Sequence, residues 1–407
     1  MLNLLQLDDE KLRSDNQITN PTQANNVHKG VNVFCTAFSS LPEGFVLLWV
    51  FSVRPIFNKT QNEELDAVLK TIQNMIILPA YLPEKQRKLI FDPAQRSYLE
   101  KNPVIIEVSG LEHKFAPINP FRDLVNSKKL YNKAIDNMRS PEDWENLATL
   151  LAGFRKAGIK LKPEHWDKTV RLAVTQGHVN VILACAACAE ETGLFFRKPE
   201  VVARVLAFSN DKISSKPTSN AEAKKALKSV ELVLDILQRP GHAYNPGEPT
   251  HKRMHFSRLV RGMVMYARAA YVRTCAEPTA KDKDLLLDDV LLLTTLWEDA
   301  LDKDLNKVME FAKLNPTMVR MTEGEVRKSQ VPEGLNGSAY IQVIAQNIKA
   351  MKLAQEILGE EAASLSPIVE VLETHLHKFA SKSERRTAVW DKAYEKVMGE
   401  KATWAEV

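Results

Sequence analysis

The chain has 407 residues, of which 44% are hydrophobic and 26% charged, with only 15 glycines; this is a globular protein long enough to bury a sizeable core, and scarce strand alternation makes it mostly helical. A net charge of +4 and a pI near 8.6 permit an acidic partner such as a nucleic acid without requiring one. The four cysteines, Cys35, Cys185, Cys188 and Cys275, are too few and too irregular for a disulfide framework, which favours a reducing compartment.

Residues 1–44 are polar, without a sustained period, and read as a loosely ordered tail. Asp8, Asp9 and Glu10 do not fit an Arg-rich, acid-poor import leader. The apolar run Phe45 to Val53 is about half the ~20 residues that span a bilayer, so it reads as a buried strand or short core helix. Asn58-Lys59-Thr60 matches a glycosylation sequon, but no secretory signal gives it meaning. From Asn62 the period becomes helical, with Leu65, Val68, Leu69, Ile72 and Ile76 on one face and Pro79 as the expected stop. Asp92-Pro93 opens a short helix through Tyr98. Residues 103–118, with Ser109-Gly110 between two apolar runs, predict a β-hairpin that ends a small N-terminal module over 45–118.

The helical body, 119–407, follows. Ser140-Pro141-Glu142-Asp143 starts a helix lined by Trp144, Leu147, Ala148, Leu151 and Phe154, which Gly158 stops. Pro163 opens the next helix, and a third, rich in alanine, runs from His178 to Thr192. Pro199 opens a fourth. The glycines of the two corners, Gly158 and Gly193, lie 35 residues apart, and their prolines, Pro163 and Pro199, 36. Such a period is what stacked helix pairs leave in a sequence, since each pair buries its apolar stripe against its neighbours. Beyond Ser209 a helix spans Asn220 to Leu237, a loop rich in Pro and Gly spans 240–249, and helices resume near 255–274, 284–302, 304–314, 338–357, 364–380 and 385–398, with a long loop over 315–337. The fold class expected is all-α in the main: an irregular α-solenoid of helix-turn-helix pairs with a small N-terminal α+β module.

The order of a helix, Gly177, an Ala-rich helix, Gly193 and Lys198-Pro199 resembles a pentatricopeptide-type repeat, and Lys156-Ala157-Gly158-Ile159-Lys160 ending at Pro163 resembles the close of the preceding unit. The resemblance covers about 70 residues. Its Gly-to-Pro corners are longer than that family's usual spacing, and no clean unit follows Ser209. It implies an organellar protein, mitochondrial in the first instance, that handles RNA or sits in an RNA-containing assembly. A scaffold that holds another protein is the alternative use of the same stack.

Three groups of residues bear on chemistry. Cys185 and Cys188 lie inside an Ala-rich helix with no second pair, so packing is expected rather than redox or zinc chemistry. His251 and His255 share a helix face, but Lys252 stands where a zinc protease needs Glu, and His375 and His377 point about 200° apart. The third group is basic. Between His251 and Cys275 there are Lys252, Arg253, Arg258, Arg261, Arg268 and Arg273 and no acid. Arg258, Arg261 and Arg268 fall within about 80° on a helical wheel, and Phe256, Tyr266 and Tyr271 interleave, as a phosphate-contacting and base-stacking surface requires. The competing reading is neutralisation by the following segment, which carries Asp282, Asp284, Asp288, Asp289, Glu298 and Asp299. A second basic group holds Arg155, Lys156, Lys160, Lys162, Lys168 and Arg171, of which Lys168 and Arg171 are RNA-contact candidates because solenoids bind along one face. No Gly-rich phosphate loop, nucleophile elbow or metal quartet is present, so neither catalysis nor a cofactor is expected.

Overall fold

Helix α1 (Glu63–Ile72) begins where the Asn62 side chain accepts the Leu65 N–H, with Glu63, Glu64 and Asp66 in the first turn against the positive end of the dipole. Its buried face is Leu65, Val68, Leu69 and Ile72, as the period predicts. Pro79 does not end it. A proline has no N–H to return to the preceding turn, and the helix widens to a π-type turn over Gln73–Ile77 before a last turn, Leu78–Ala80. This computed structural model describes residues 55–108, 110–119, 125–214, 218–243, 253–316, 335–383 and 386–406. The expected tail 1–44, the apolar run 45–53, His251, Lys252 and most of the expected loop 315–337 lie outside the described residues.

After α1 the chain forms α2 (Glu84–Phe91), a 3-10 turn capped by Asp92, and α3 (Arg96–Lys101). Strands β1 (Ile105–Val108) and β2 (Leu111–Lys114) then pair antiparallel, with Ile105 opposite Lys114 and Val108 opposite Leu111. Gly110 takes φ +78° at the turn, a conformation open to glycine at little cost. Leu78, Leu82, Ile90, Leu99, Val104, Val108, Phe115 and Ile118 form a small core separate from the main one. Helix α1 belongs to the main core instead, through Leu65, Leu69 and Ile72.

The body opens with α4 (Ser127–Asn137). Next comes a single turn, Pro141–Glu145, whose N-cap Ser140 and Asp143 satisfy each other's backbone N–H in a capping box. The sequence reads one helix from Pro141 to Phe154; the structure breaks it at Asn146, and α5 (Leu147–Lys156) starts afresh. The Asn146 side chain, almost fully buried, grips the backbone of Asn58 on both sides, accepting its N–H at 2.8 Å and donating to its carbonyl at 3.1 Å. Helix α6 (Pro163–Thr175) follows, then α7 (Val179–Ala187), which kinks at Cys188 and adds one more turn, Ala189–Thr192. The kink is held by Thr192, whose hydroxyl donates to the Cys185 carbonyl at 2.7 Å. Helix α8 (Pro199–Ser209) completes the repeat-like region. Gly158, Gly177 and Gly193 end their helices at φ +70°, +85° and +80°, and Pro163 and Pro199 start the next ones, so the recurring corners are backbone devices.

Five further long helices follow: α9 (Asn220–Gln238), α10 (Arg258–Thr274), α11 (Ala280–Trp297), then, after the short α12 (Met309–Leu314), α13 (Gly337–Leu358) and α14 (Ser366–Lys382). Helix α15 (Ala388–Met398) packs on α13. The described chain is all-α in the main, an irregular stack of helix pairs with one two-stranded hairpin in a small N-terminal module. None of its helices is long and apolar enough to cross a membrane.

Helix α13 is the centre of the C-terminal half and is buried on nearly every side, against α8, α10, α14 and α15. It meets α10 at Gly262, where an added Cβ would fall 1.8 Å from Asn347 Oδ1. The Asn347 amide is fixed there, donating to the carbonyls of Val343 at 2.9 Å and Leu259 at 3.3 Å. Next to it Gln346 donates to Ala207 O at 3.0 Å, and Asn210 of the α8 C-cap donates to Met263 O at 2.9 Å. Three helices, α8, α10 and α13, are thereby joined by buried amides whose N–H groups are hydrogen-bonded. Gly262→Ala should lower stability by about 1–3 kcal/mol through overpacking; a denaturant midpoint equal to that of the parent chain would contradict the contact.

Two buried imidazoles set a pH dependence. His242 Nδ1 accepts the Phe196 N–H at 3.0 Å, and His375 shares a 2.7 Å hydrogen bond with the Tyr340 hydroxyl. Burial brings both down from 6.5 to about 4. Between those values the unfolded chain binds more protons than the folded one, so stability is full above about pH 6.5 and declines as the pH falls toward 4. Urea unfolding between pH 7 and 5 should show this decline, with a shallower slope in His242→Asn.

Candidate nucleic-acid interface

The basic helix α10 is enclosed by α9, α11 and α13, and its arginines are turned to internal use. Arg258 donates from Nε to Leu296 O at 2.6 Å, pairs through its terminal nitrogens with Asp299 and Glu310, and lies 5.9 Å from the Trp297 ring. Glu310 reaches further, accepting the Leu259 N–H at 2.9 Å and the Ser257 hydroxyl at the helix start. Arg268 pairs with Asp289 at 2.6 Å and Glu231 at 3.5 Å, and its side chain and that of Asp289 are only 13% and 11% exposed. Burial pushes the Asp289 carboxyl up, against the pull of Arg268. Arg261 donates to His255 O at 2.6 Å and sits over Phe256, and burial lowers its guanidinium from the ordinary value.

The three arginines expected to form a phosphate-facing stripe, Arg258, Arg261 and Arg268, are therefore covered. Acids of α9, α11 and α12 neutralise two of them, and a backbone carbonyl and an aromatic ring hold the third. Of the three interleaved aromatics, Tyr266 is buried and Phe256 is occupied by Arg261, which leaves only Tyr271 partly exposed. The other candidate groups resolve into packing. Cys185 and Cys188 are buried and form no disulfide, and burial holds the Cys185 thiol far above its ordinary value. Both His255 and His375 are buried, and among the described residues no group of three His, Cys, Asp or Glu side chains is placed to hold a metal.

The second basic group fares differently. Helices α4, α6 and α8 are the first helices of successive pairs, and α6 packs against both of the others. Lys168 on α6 reaches Asp136 on α4 at 2.7 Å, while Arg171, one turn on, is exposed. Facing it from α8 is Arg204, half-buried, whose guanidinium is lowered by burial and then by the like charge of Arg171. Among the described residues neither arginine has an ion pair within 4 Å. Nearby, Lys198 lies 3.6 Å from Asp167 and 3.4 Å from Glu200. Asp167 and Glu200 also act on Arg204, against the effect of Arg171, but both lie closer to Lys198 and neither is within ion-pair distance of a guanidinium, so an anion is still favoured between the two. Sequence reasoning missed Arg204, yet a signal existed: Lys168 and Arg204 each stand five residues after the opening proline of their helix.

The edge formed by the two corners continues this charge. Arg155, Lys156, Lys160, Lys162 and Arg197 are all exposed. Phe195 is flanked by Arg197 at 4.3 Å and Arg155 at 5.7 Å, Lys156 lies 5.5 Å from the Tyr81 ring, and Arg197 is steadied by the Gly241 carbonyl at 3.0 Å. Two acids stand at this edge: Glu190 lies 3.5 Å from Arg155, and Glu191 acts on Tyr81. Planar cations and rings at an exposed edge are groups on which bases stack and to which phosphates pair.

Comparison with known proteins fits an RNA-containing setting. The profile of the family described as mitochondrial ribosomal protein mS27 matches residues 50–402, which includes α1, the hairpin module and the helical body. The small ribosomal subunit protein mS27 of Neurospora crassa is 33% identical over 182 residues, 45% of this chain and 46% of that protein. The aligned part thus spans about half the length of the curated relative. With the family profile extending over most of its length, the chain belongs to the mitochondrial ribosomal protein mS27 family.

Proposed function

We propose that this protein is a non-catalytic component of the small subunit of the mitochondrial ribosome, and that it contacts RNA through the first-helix face of α6 and α8 and the adjoining corner edge. The ribosomal part of this reading is carried by the family match over residues 50–402. The RNA contact is supported by Arg171 and Arg204, neither of them in an ion pair within 4 Å although Asp167 and Glu200 act on Arg204, with Lys168 beside them. A phosphate placed between the two guanidiniums would relieve their mutual repulsion and accept charge-assisted hydrogen bonds from both. Lys168 would exchange Asp136 for a second phosphate, and the Arg155, Phe195 and Arg197 stack would take an unpaired base. The paired glycine and proline corners support pentatricopeptide-type units as the source of this face. On this reading Arg258, Arg261 and Arg268 hold helices together rather than RNA.

The tagged chain should sediment with the mitochondrial small ribosomal subunit; a chain that stays at the top of the gradient would remove the ribosomal reading. Purified chain should bind single-stranded RNA with an affinity that falls steeply with salt. Arg171→Glu with Arg204→Glu should weaken it about tenfold or more and reduce the salt slope by roughly two. An unchanged affinity in that pair would leave a protein-binding scaffold as the reading. Arg268→Ala should act on the fold instead, costing roughly 3–5 kcal/mol by leaving Asp289 buried without its cation, as read by urea unfolding.

A further inference from the structure

Helix α11 is apolar on more of its circumference than the fold uses. Leu286, Val290, Leu293 and Trp297 are its buried face, and they fall within about 60° on a 100° step. The opposite side ought to be polar on a helix that only covers a core. It instead presents Leu291, 56% exposed, and Leu285, 36% exposed, on either side of a seam made by Asp284 and Asp288. The two aspartates are one turn apart, both exposed, and among the described residues neither has an ion pair. Like charges at that spacing repel each other; exposed Lys281, one turn before Asp284, offsets them only in part and forms no ion pair with either, and Arg258 and Arg268 of α10 are engaged by Asp299, Glu310, Asp289 and Glu231.

We infer that this outward face of α11 docks a protein segment of complementary chemistry: an amphipathic helix of a neighbouring protein whose Lys or Arg side chains meet Asp284 and Asp288 and whose apolar side chains cover Leu285 and Leu291. Charge decides the class of partner. A phosphate backbone is repelled by the aspartate seam, whereas a basic helix neutralises it and removes leucine surface from water. Eighteen residues give α11 a length of about 27 Å, enough to seat four to five turns of such a helix. This inference rests on the chain being part of an assembly, but not on the RNA contact proposed for α6 and α8.

The test uses the full-length chain carrying a photoreactive benzoylphenylalanine at position 291, assembled into small ribosomal subunits that are isolated and irradiated. The expected product is an adduct to another protein, mapped by mass spectrometry to a segment with basic and apolar residues at helical spacing. D284K with D288K should cut the yield of that adduct at least tenfold while leaving the circular dichroism of the chain unchanged. Adducts to RNA, to a second copy, to residues of the same chain, to an acidic segment, or no adduct at all would each overturn the inference. Absence of the chain from the subunit fraction strikes the ribosomal reading instead, and the two failures are separately visible.

Discussion

A guanidinium taken out of water needs an opposite charge or a carbonyl beside it, and α10 brings three of them into the interior of the C-terminal half. That requirement organises its surroundings. Asp289 must lie on the inner side of α11, Glu231 on the facing side of α9, and Glu310 at the start of α12, where it also caps α10. The contact at Gly262 fixes the depth at which this happens, since only a helix without a side chain there can press its backbone against the Asn347 amide. With α10 seated, Arg258, Arg261 and Arg268 are engaged inside the fold, and the surfaces proposed for recognition lie on the rims: the first-helix face of the repeat-like region and the outer side of α11.

Those two rims differ in sign. Arg171, Arg204 and the corner cations leave one surface in need of anions, while Asp284 and Asp288 leave the other in need of cations. A near-neutral chain of this kind is not uniformly neutral; it separates its charges by element, which lets one protein touch a polyanion on one side and a basic protein on another.

Much of this architecture could be read in the chain because it depends on local chemistry. A positive φ selects glycine and a helix start accepts proline, so the corners at Gly158 to Pro163 and Gly193 to Pro199 appear in the residues themselves. The hairpin shows through Gly110 for the same reason. What stayed hidden depends on distant partners. Nothing near Asn146 announces a break, since the apolar period runs through it; the cause is the Asn58 backbone, 88 residues away. A helical wheel groups Arg258, Arg261 and Arg268 correctly but is silent on which helix covers them. Arg204 is inconspicuous in an otherwise apolar helix until its neighbour Arg171 is placed across from it.

The grip of Asn146 on Asn58 also has a temporal side. Chain made or threaded from its N-terminus exposes the segment ahead of α1 long before the residue that fastens it exists on the same side of the ribosome or membrane. The two hydrogen bonds join residues 88 apart, so they close only after everything between them has been made, at an entropy cost that grows slowly with that span. Asn146 thus ties the chain just ahead of α1, at Asn58, to the start of the first helix pair.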